Sequence, residues 1–225
     1  MAFYNSNAGK VYNVLLERKD RVVLTKDIRT ACNLLKLDYD GVLVSLIRSK
    51  VLETAVFKGV YYVKSREERD LGTIKGDPFN VVARACNLKL KNGWYFGLAT
   101  ALYIEGLWEH QGLTGITVIS KRRVQRAKAD FAGMRVEFKQ LSGVPFNKLV
   151  QKKGVLRYSK PARTMLDYAY FSARNRDSVE YAKEILRDIA KKTGGEEKLI
   201  KAAARLINQY PGLYATFLRK FVGLD

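Results

Sequence analysis

Residues 38–63 read DYDGVLVSLIRSKVLETAVFKGVYYV, and a change of apolar period inside this stretch decides the fold. Asp38 or Asp40 is placed to cap a helix whose apolar positions, Val42, Leu43, Leu46 and Ile47, recur at helical spacing. From Val51 onward the pattern turns extended. Val51–Phe57 and Val60–Val63 read as two strands joined at Lys58-Gly59, where glycine supplies the positive φ of a tight hairpin. At roughly 100° per residue the apolar arc of the helix centres near Leu43, Leu46 and Ile47. The opposite side then carries Gly41, Ser45 and Arg48, a small, polar and basic face.

Upstream, Ser6 or Asn7 opens a helix through Val11, Val14 and Leu15. A β-branched run, Val22-Val23-Leu24, follows. Thr25 then reads as an N-cap with Asp27 in the first turn, leading a helix through Ile28, Ala31, Cys32 and Leu35. Helix, strand, helix, helix, hairpin is the order of a winged helix-turn-helix, expected over residues 1–68. In that frame Ser45 and Arg48 are the base readers, and Tyr39 stacks or bonds at the helix start. Thr25, Lys26 and Arg29 clamp the phosphate backbone, and Lys58 at the wing tip lies against phosphate or in a minor groove.

Composition agrees with an anionic partner. The 225 residues carry 41 Lys and Arg against 22 Asp and Glu, a net charge of +19, far beyond what solubility requires. Nucleic acid is the first reading of that charge, an anionic membrane surface the second, and a basic ribosomal-type protein the third. A 47% hydrophobic content spread along the chain implies a packed core. Cys32, Cys86 and the single His110 lack the number and spacing of a zinc site, so no metal or cofactor is expected. No signal peptide and no apolar run long enough to span a bilayer is apparent, so a cytoplasmic protein without membrane contact is expected.

The polar stretch Ser65-Arg66-Glu67-Glu68-Arg69-Asp70, followed by Gly72, Gly76 and Pro78, reads as a linker. Beyond it a mixed α/β domain with C-terminal helices is expected over residues 78–225, making the whole chain α+β. Phe79–Ala85 reads as extended or weakly helical. Gly93-Trp94-Tyr95-Phe96 leads into a helix through Ala99, Leu102, Tyr103 and Leu107, and strands are expected at Gly115–Ser120, Met134–Leu141 and Val155–Tyr158. Pro161 opens a further helix, and two more close the chain, the first capped by Asp177 or Ser178. Their apolar stripes pack on the α/β core or make a dimer contact. Residues 66–160 hold 18 basic and 8 acidic residues, net +10, the most basic part of the chain. Within them Lys121, Arg122, Arg123, Arg126 and Lys128 place five cations in eight residues, either a solvated loop or a second phosphate-contacting surface.

Catalysis has one foothold. Asp130 followed by Glu137-Phe138-Lys139 has the residue types of a metal-dependent nuclease, with carboxylates for magnesium and a lysine beside the attacking water. Solvated strand positions explain the same residues more simply. An RNA-binding protein is the third class.

Three segments together resemble the AbiEi-type antitoxins. They are the hairpin ending Lys58-Gly59-Val60-Tyr61-Tyr62-Val63, the helix Thr100-Ala101-Leu102 with Gly106-Leu107 at its end, and Ser159-Lys160-Pro161-Ala162-Arg163-Thr164-Met165-Leu166-Asp167 at a strand-to-helix junction. The resemblance spans roughly residues 10–170. It implies a cytoplasmic antitoxin and transcriptional repressor of a type IV toxin–antitoxin system. Such a protein binds inverted repeats in double-stranded DNA of its own promoter, as a monomer or a DNA-dependent dimer. It counteracts a nucleotidyltransferase toxin without requiring a stable complex. The basic middle of this chain departs from that pattern.

Overall fold

The computed structural model of the chain describes residues 3–108, 115–142, 146–175, 179–210, 212–221 and 223. His110 and the expected cap at Asp177 or Ser178 lie outside them. Helices and strands are mixed along the chain in an α+β architecture. It divides into two compact units, residues 1–91 with 129–134, and residues 92–128 with 135–225.

The first unit begins with α1 (Asn7–Leu16), whose N-cap Ser6 accepts the Gly9 N–H on its Oγ at 3.1 Å. β1 (Val22–Leu24), α2 (Thr25–Leu34), α3 (Tyr39–Arg48), β2 (Leu52–Thr54) and β3 (Val60–Val63) follow. β3 lies between β1 and β2 and is antiparallel to both, with Val23 opposite Tyr61 and Glu53 opposite Tyr62. One core joins the three helices to this sheet: Val11, Tyr12 and Leu15 of α1, Ile28 and Cys32 of α2, Val42 and Leu46 of α3, and Val51 and Val63.

Two expectations are corrected here. Thr25 does not cap α2. Leu24 holds that place, and Asp27 closes the helix start by accepting the Leu24 N–H at 2.7 Å. Nor does the first hairpin strand reach Phe57. Val56 takes a φ of +52°, outside anything a strand allows, and the Val60 N–H turns back to the Phe57 carbonyl at 3.1 Å.

The polar stretch after β3 is tied down rather than loose. Ser65-x-x-Glu68 forms a capping box that starts a short helix, α4 (Arg66–Asp70). The Glu68 carboxylate is buried. It accepts the Ser65 N–H at 2.8 Å, the Tyr62 hydroxyl at 2.8 Å and the Lys75 N–H at 2.9 Å, and pairs with Arg21 at 2.6 Å. Burial by itself would raise its pKa. The backbone N–H groups, the Tyr62 hydroxyl and Arg21 outweigh that and hold it at about 2. Pro78 then enters α5 (Pro78–Leu90) behind an Asp77 cap, a full helix where the apolar pattern reads as weak or extended. The first unit therefore runs through Lys91, beyond the boundary expected near residues 68–78.

The second unit is built on β4 (Trp94–Phe96), β5 (Gly115–Ser120), β6 (Lys128–Phe131), β7 (Met134–Gln140), β8 (Val150–Lys153) and β9 (Leu156–Ser159). The sheet order is β6-β7-β5-β4-β9-β8, and residues 129–134, most of β6 with the turn into β7, belong to the first unit. β5 and β7 run parallel, as do β4 and β9. All three residues of central β4 are buried, which is why Trp94-Tyr95-Phe96 shows no alternation. Among the described residues five helices belong to this unit: α6 (Leu98–Ile104), α7 (Pro161–Asn175), α8 (Val179–Thr193), α9 (Glu196–Ile207) and α10 (Gly212–Phe221). Met165, Leu166 and Ala169 of α7 meet Tyr95, Ile119, Leu206 and Leu218 in one core. The apolar stripes of α8 and α9 are thus spent within the chain, Leu186 and Ala203 among them.

A polar knot sits inside that core. Arg163 and Asp167, one turn apart on α7, are both fully buried and pair at 2.9 Å. Tyr95 donates to the other carboxylate oxygen at 2.8 Å, Tyr210 donates at 3.3 Å, and Arg163 donates to the Tyr95 oxygen at 3.0 Å. Burial opposes the charge on Arg163, but the Asp167 carboxylate reverses this and holds the guanidinium protonated well above its ordinary range.

Folding lowers the Glu68 pKa from 4.5 to about 2, so its contribution, on the order of 3 kcal/mol, is complete above the unfolded value and is lost as pH falls through that window. Glu68→Gln is expected to lower the urea midpoint at neutral pH and to converge with the wild type as the pH approaches about 2. Arg163→Ala leaves a buried carboxylate without its counter-charge and is expected to cost about 3–5 kcal/mol in chemical denaturation followed by tryptophan fluorescence.

Candidate nucleic-acid interface

α3 is oriented by what it buries. Val42 and Leu46 are covered by the core, with Tyr39 and Leu43 partly so. That places the buried arc about 40° from the one expected, since 3.6 residues make a turn. Ile47, expected inside, is 47% exposed, and Val44 is 56% exposed. The free face therefore carries Asp40, Gly41, Val44, Ile47 and Arg48. Asp38 is the cap and accepts the Gly41 N–H at 2.7 Å.

Ser45 moves off this face. It is half-buried and lines an open hollow of about 370 Å³ with Ser6, Asn7, Ala8, Asp38, Gly41 and Val42. Arg48 is exposed in the last turn, where a cation also suits the helix C-terminus.

Beside α3 the start of α2 and the hairpin turn are fastened together. The Thr25 N–H donates to the Gly59 carbonyl at 3.0 Å, and the Thr25 hydroxyl donates to the same oxygen at 3.3 Å. Gly59 has a φ of +76°, and a Cβ there would stand 2.9 Å from the Thr25 hydroxyl. Any side chain would thus meet both strain and collision. Thr25 is a structural clasp, and its hydroxyl is committed to that turn rather than free to clamp a phosphate. Tyr39 faces the same residue, and the Arg29 guanidinium lies 4.7 Å above the Tyr39 ring. Burial pushes the Tyr39 phenol upward, so it stays protonated at neutral pH. Lys26, Arg29 and Lys58 are all exposed around this clasp. The first helical turn of α2, the first residue of α3 and the hairpin turn are thereby brought to one place. The sequence supplied these residues but not the Thr25–Gly59 bond that gathers them.

Lys121, Arg122, Arg123 and Arg126 are exposed in the connection from β5 to β6, and Lys128 is exposed as the first residue of β6. The Lys121 N–H donates to the Gly93 carbonyl at 2.9 Å and the Ser120 hydroxyl to the Arg122 carbonyl at 2.8 Å, which fixes the start of the loop. None of the five cations is ion-paired with a described residue.

Of the three residues of the nuclease alternative, two are paired with each other and one is exposed. Glu137 and Lys139 lie on β7 and pair with each other at 3.5 Å, and the Lys139 ammonium is 5.6 Å from the Phe171 ring centre. Asp130 is exposed on β6. Among the described residues no group of three His, Cys, Asp or Glu is arranged to hold a metal ion. Cys32 and Cys86 are buried free thiols, and burial raises the pKa of both. No described helix is long and apolar enough to cross a membrane.

No protein-family model matches the chain, and no curated protein does. Among solved structures it is similar to the crystal structure of the RV2827C protein from Mycobacterium tuberculosis. The TM-score is 0.60 at 16% sequence identity, covering 96% of this chain and 77% of that one, a likeness of fold alone.

Proposed function

We propose that the chain is a sequence-specific DNA-binding transcriptional regulator whose first unit is a winged helix-turn-helix. In this reading α2 and α3 are the two helices of the motif, α3 enters the major groove, and the β2–β3 hairpin is the wing. The observation that carries it is the free face of α3, which no other part of its own unit covers, with exposed Lys26, Arg29 and Lys58 gathered beside it. Arg48 is the side chain on that face able to make a bidentate contact to a guanine edge. Lys26 and Lys58 supply phosphate contacts, and Arg29, held over Tyr39, is a pre-oriented one. Thr25 acts indirectly by holding the wing turn against α2. The exposed cations at 121–128 are assigned to a second phosphate surface, consistent with a net charge of +19.

The resemblance to AbiEi-type antitoxins extends this proposal. The chain then represses its own promoter at inverted repeats and counteracts a nucleotidyltransferase toxin. Its place of action is the cytoplasm. The nuclease reading finds no support in the pairing of Glu137 with Lys139.

Selection of duplexes from a random library by the full chain tests the proposal, and a failure to enrich any sequence would remove it. On an enriched site Arg48→Ala is expected to cost about 1–3 kcal/mol while leaving affinity for random duplex nearly unchanged. Equal losses on both would assign Arg48 to phosphate. Replacing Lys121, Arg122, Arg123 and Arg126 by glutamine is expected to flatten the dependence of log K on log salt by about 0.9 for each phosphate that is no longer neutralised, with sequence preference retained.

A further inference from the structure

Resting on the DNA-binding reading, we propose that α3 recognises thymine methyl groups through Val44 and Ile47, so that the sites it selects carry thymines at fixed positions in the major groove. Two large aliphatic side chains three residues apart stand 56% and 47% exposed on one helix face, while the core of the same unit takes Val42 and Leu46 instead. Gly41, one turn before Val44, adds no side chain to hold the helix away from a surface. Arg48 follows Ile47 directly and is free.

The chemistry narrows the occupant. Aliphatic groups neither donate nor accept hydrogen bonds, so they gain nothing from the polar edges of a base pair. The thymine C5-methyl is the apolar feature that a base pair presents in the major groove, and the minor groove offers none. A second copy of this chain is disfavoured by charge, because each copy would bring a net +19 to the contact. An anionic duplex meets the same cations favourably. Val44 and Ile47 thus specify where Arg48 alone would read one guanine. Asp40, in the first turn of the same face, repels phosphate and so favours seating the helix end over base edges.

The test uses the full chain and a duplex enriched from a random library, with each thymine in turn replaced by deoxyuridine, which removes the methyl group and nothing else. At one or two positions the wild type is expected to lose about 4-fold in affinity, the factor that burial of one methyl-sized group brings. Val44→Ala or Ile47→Ala is expected to bind the thymine and uracil duplexes equally at the matching position, whereas Arg48→Ala keeps the discrimination. Both positions are exposed, and unchanged thermal melting verifies that the variants fold. Retained sequence preference with no response to any uracil overturns this proposal and leaves the DNA-binding reading standing. No sequence preference at all removes both. A dimer that dissociates in sedimentation when Val44 and Ile47 become alanine, with the uracil response unaltered, also overturns it by assigning the face to a protein contact.

Discussion

The rotation of α3 about its own axis is set by Val42 and Leu46, which seat against the core that α1 and α2 contribute. That single constraint determines which residues of α3 meet water and therefore which are free to meet anything else. A helix is still free to turn about its axis once that axis is placed, and burying two large aliphatic groups removes this freedom. Turned by about 40°, the same ten residues would have offered Ser45 and hidden Ile47. Every assignment on the free face, the guanidinium of Arg48 included, inherits its place from two residues that touch only protein.

Around that helix, polar groups give the fold its particular arrangement where apolar burial alone would leave it loose. The Gly59 carbonyl receives two donors from Thr25, so a hairpin turn and a helix start move as one piece. Glu68 gathers Ser65, Tyr62, Lys75 and Arg21. Arg163 and Asp167 do the equivalent in the second unit, drawing Tyr95 from the sheet and Tyr210 from the end of α9 to α7. Such buried, satisfied networks tolerate few alternative packings, because each displaced partner strands a charge away from water.

Much of this was legible in the residues. The Ser6 and Asp38 caps, the helical spacing of α1 to α3 and the strands β5 and β7 follow from local signals. What escaped has physical reasons. β4 is buried on both faces and so lacks the alternation that marks a strand. α5 hid behind Asp77-Pro78, which reads as a turn until it is seen as a cap and a first helical residue. Ser65-x-x-Glu68 was a capping box in plain view, masked by the charge of its surroundings. On α3, Val42, Leu43, Val44, Leu46 and Ile47 are all apolar, so periodicity could not say which pair would be buried. The Thr25–Gly59 clasp joins residues 34 apart and leaves no local mark.

The return of residues 129–134 to the first unit carries a further consequence. Phe131 meets the ring of Tyr62 edge-on at 6.2 Å, and Tyr62 is also the partner of Glu68. A chain emerging from the ribosome therefore cannot finish this unit when its first 91 residues are out. It must wait until the β6–β7 turn has been synthesised, after a stretch that belongs to the other unit. Maturation of the amino-terminal part is thus coupled to translation of the middle of the message, while the core that seats α3 lies wholly within residues 3–63.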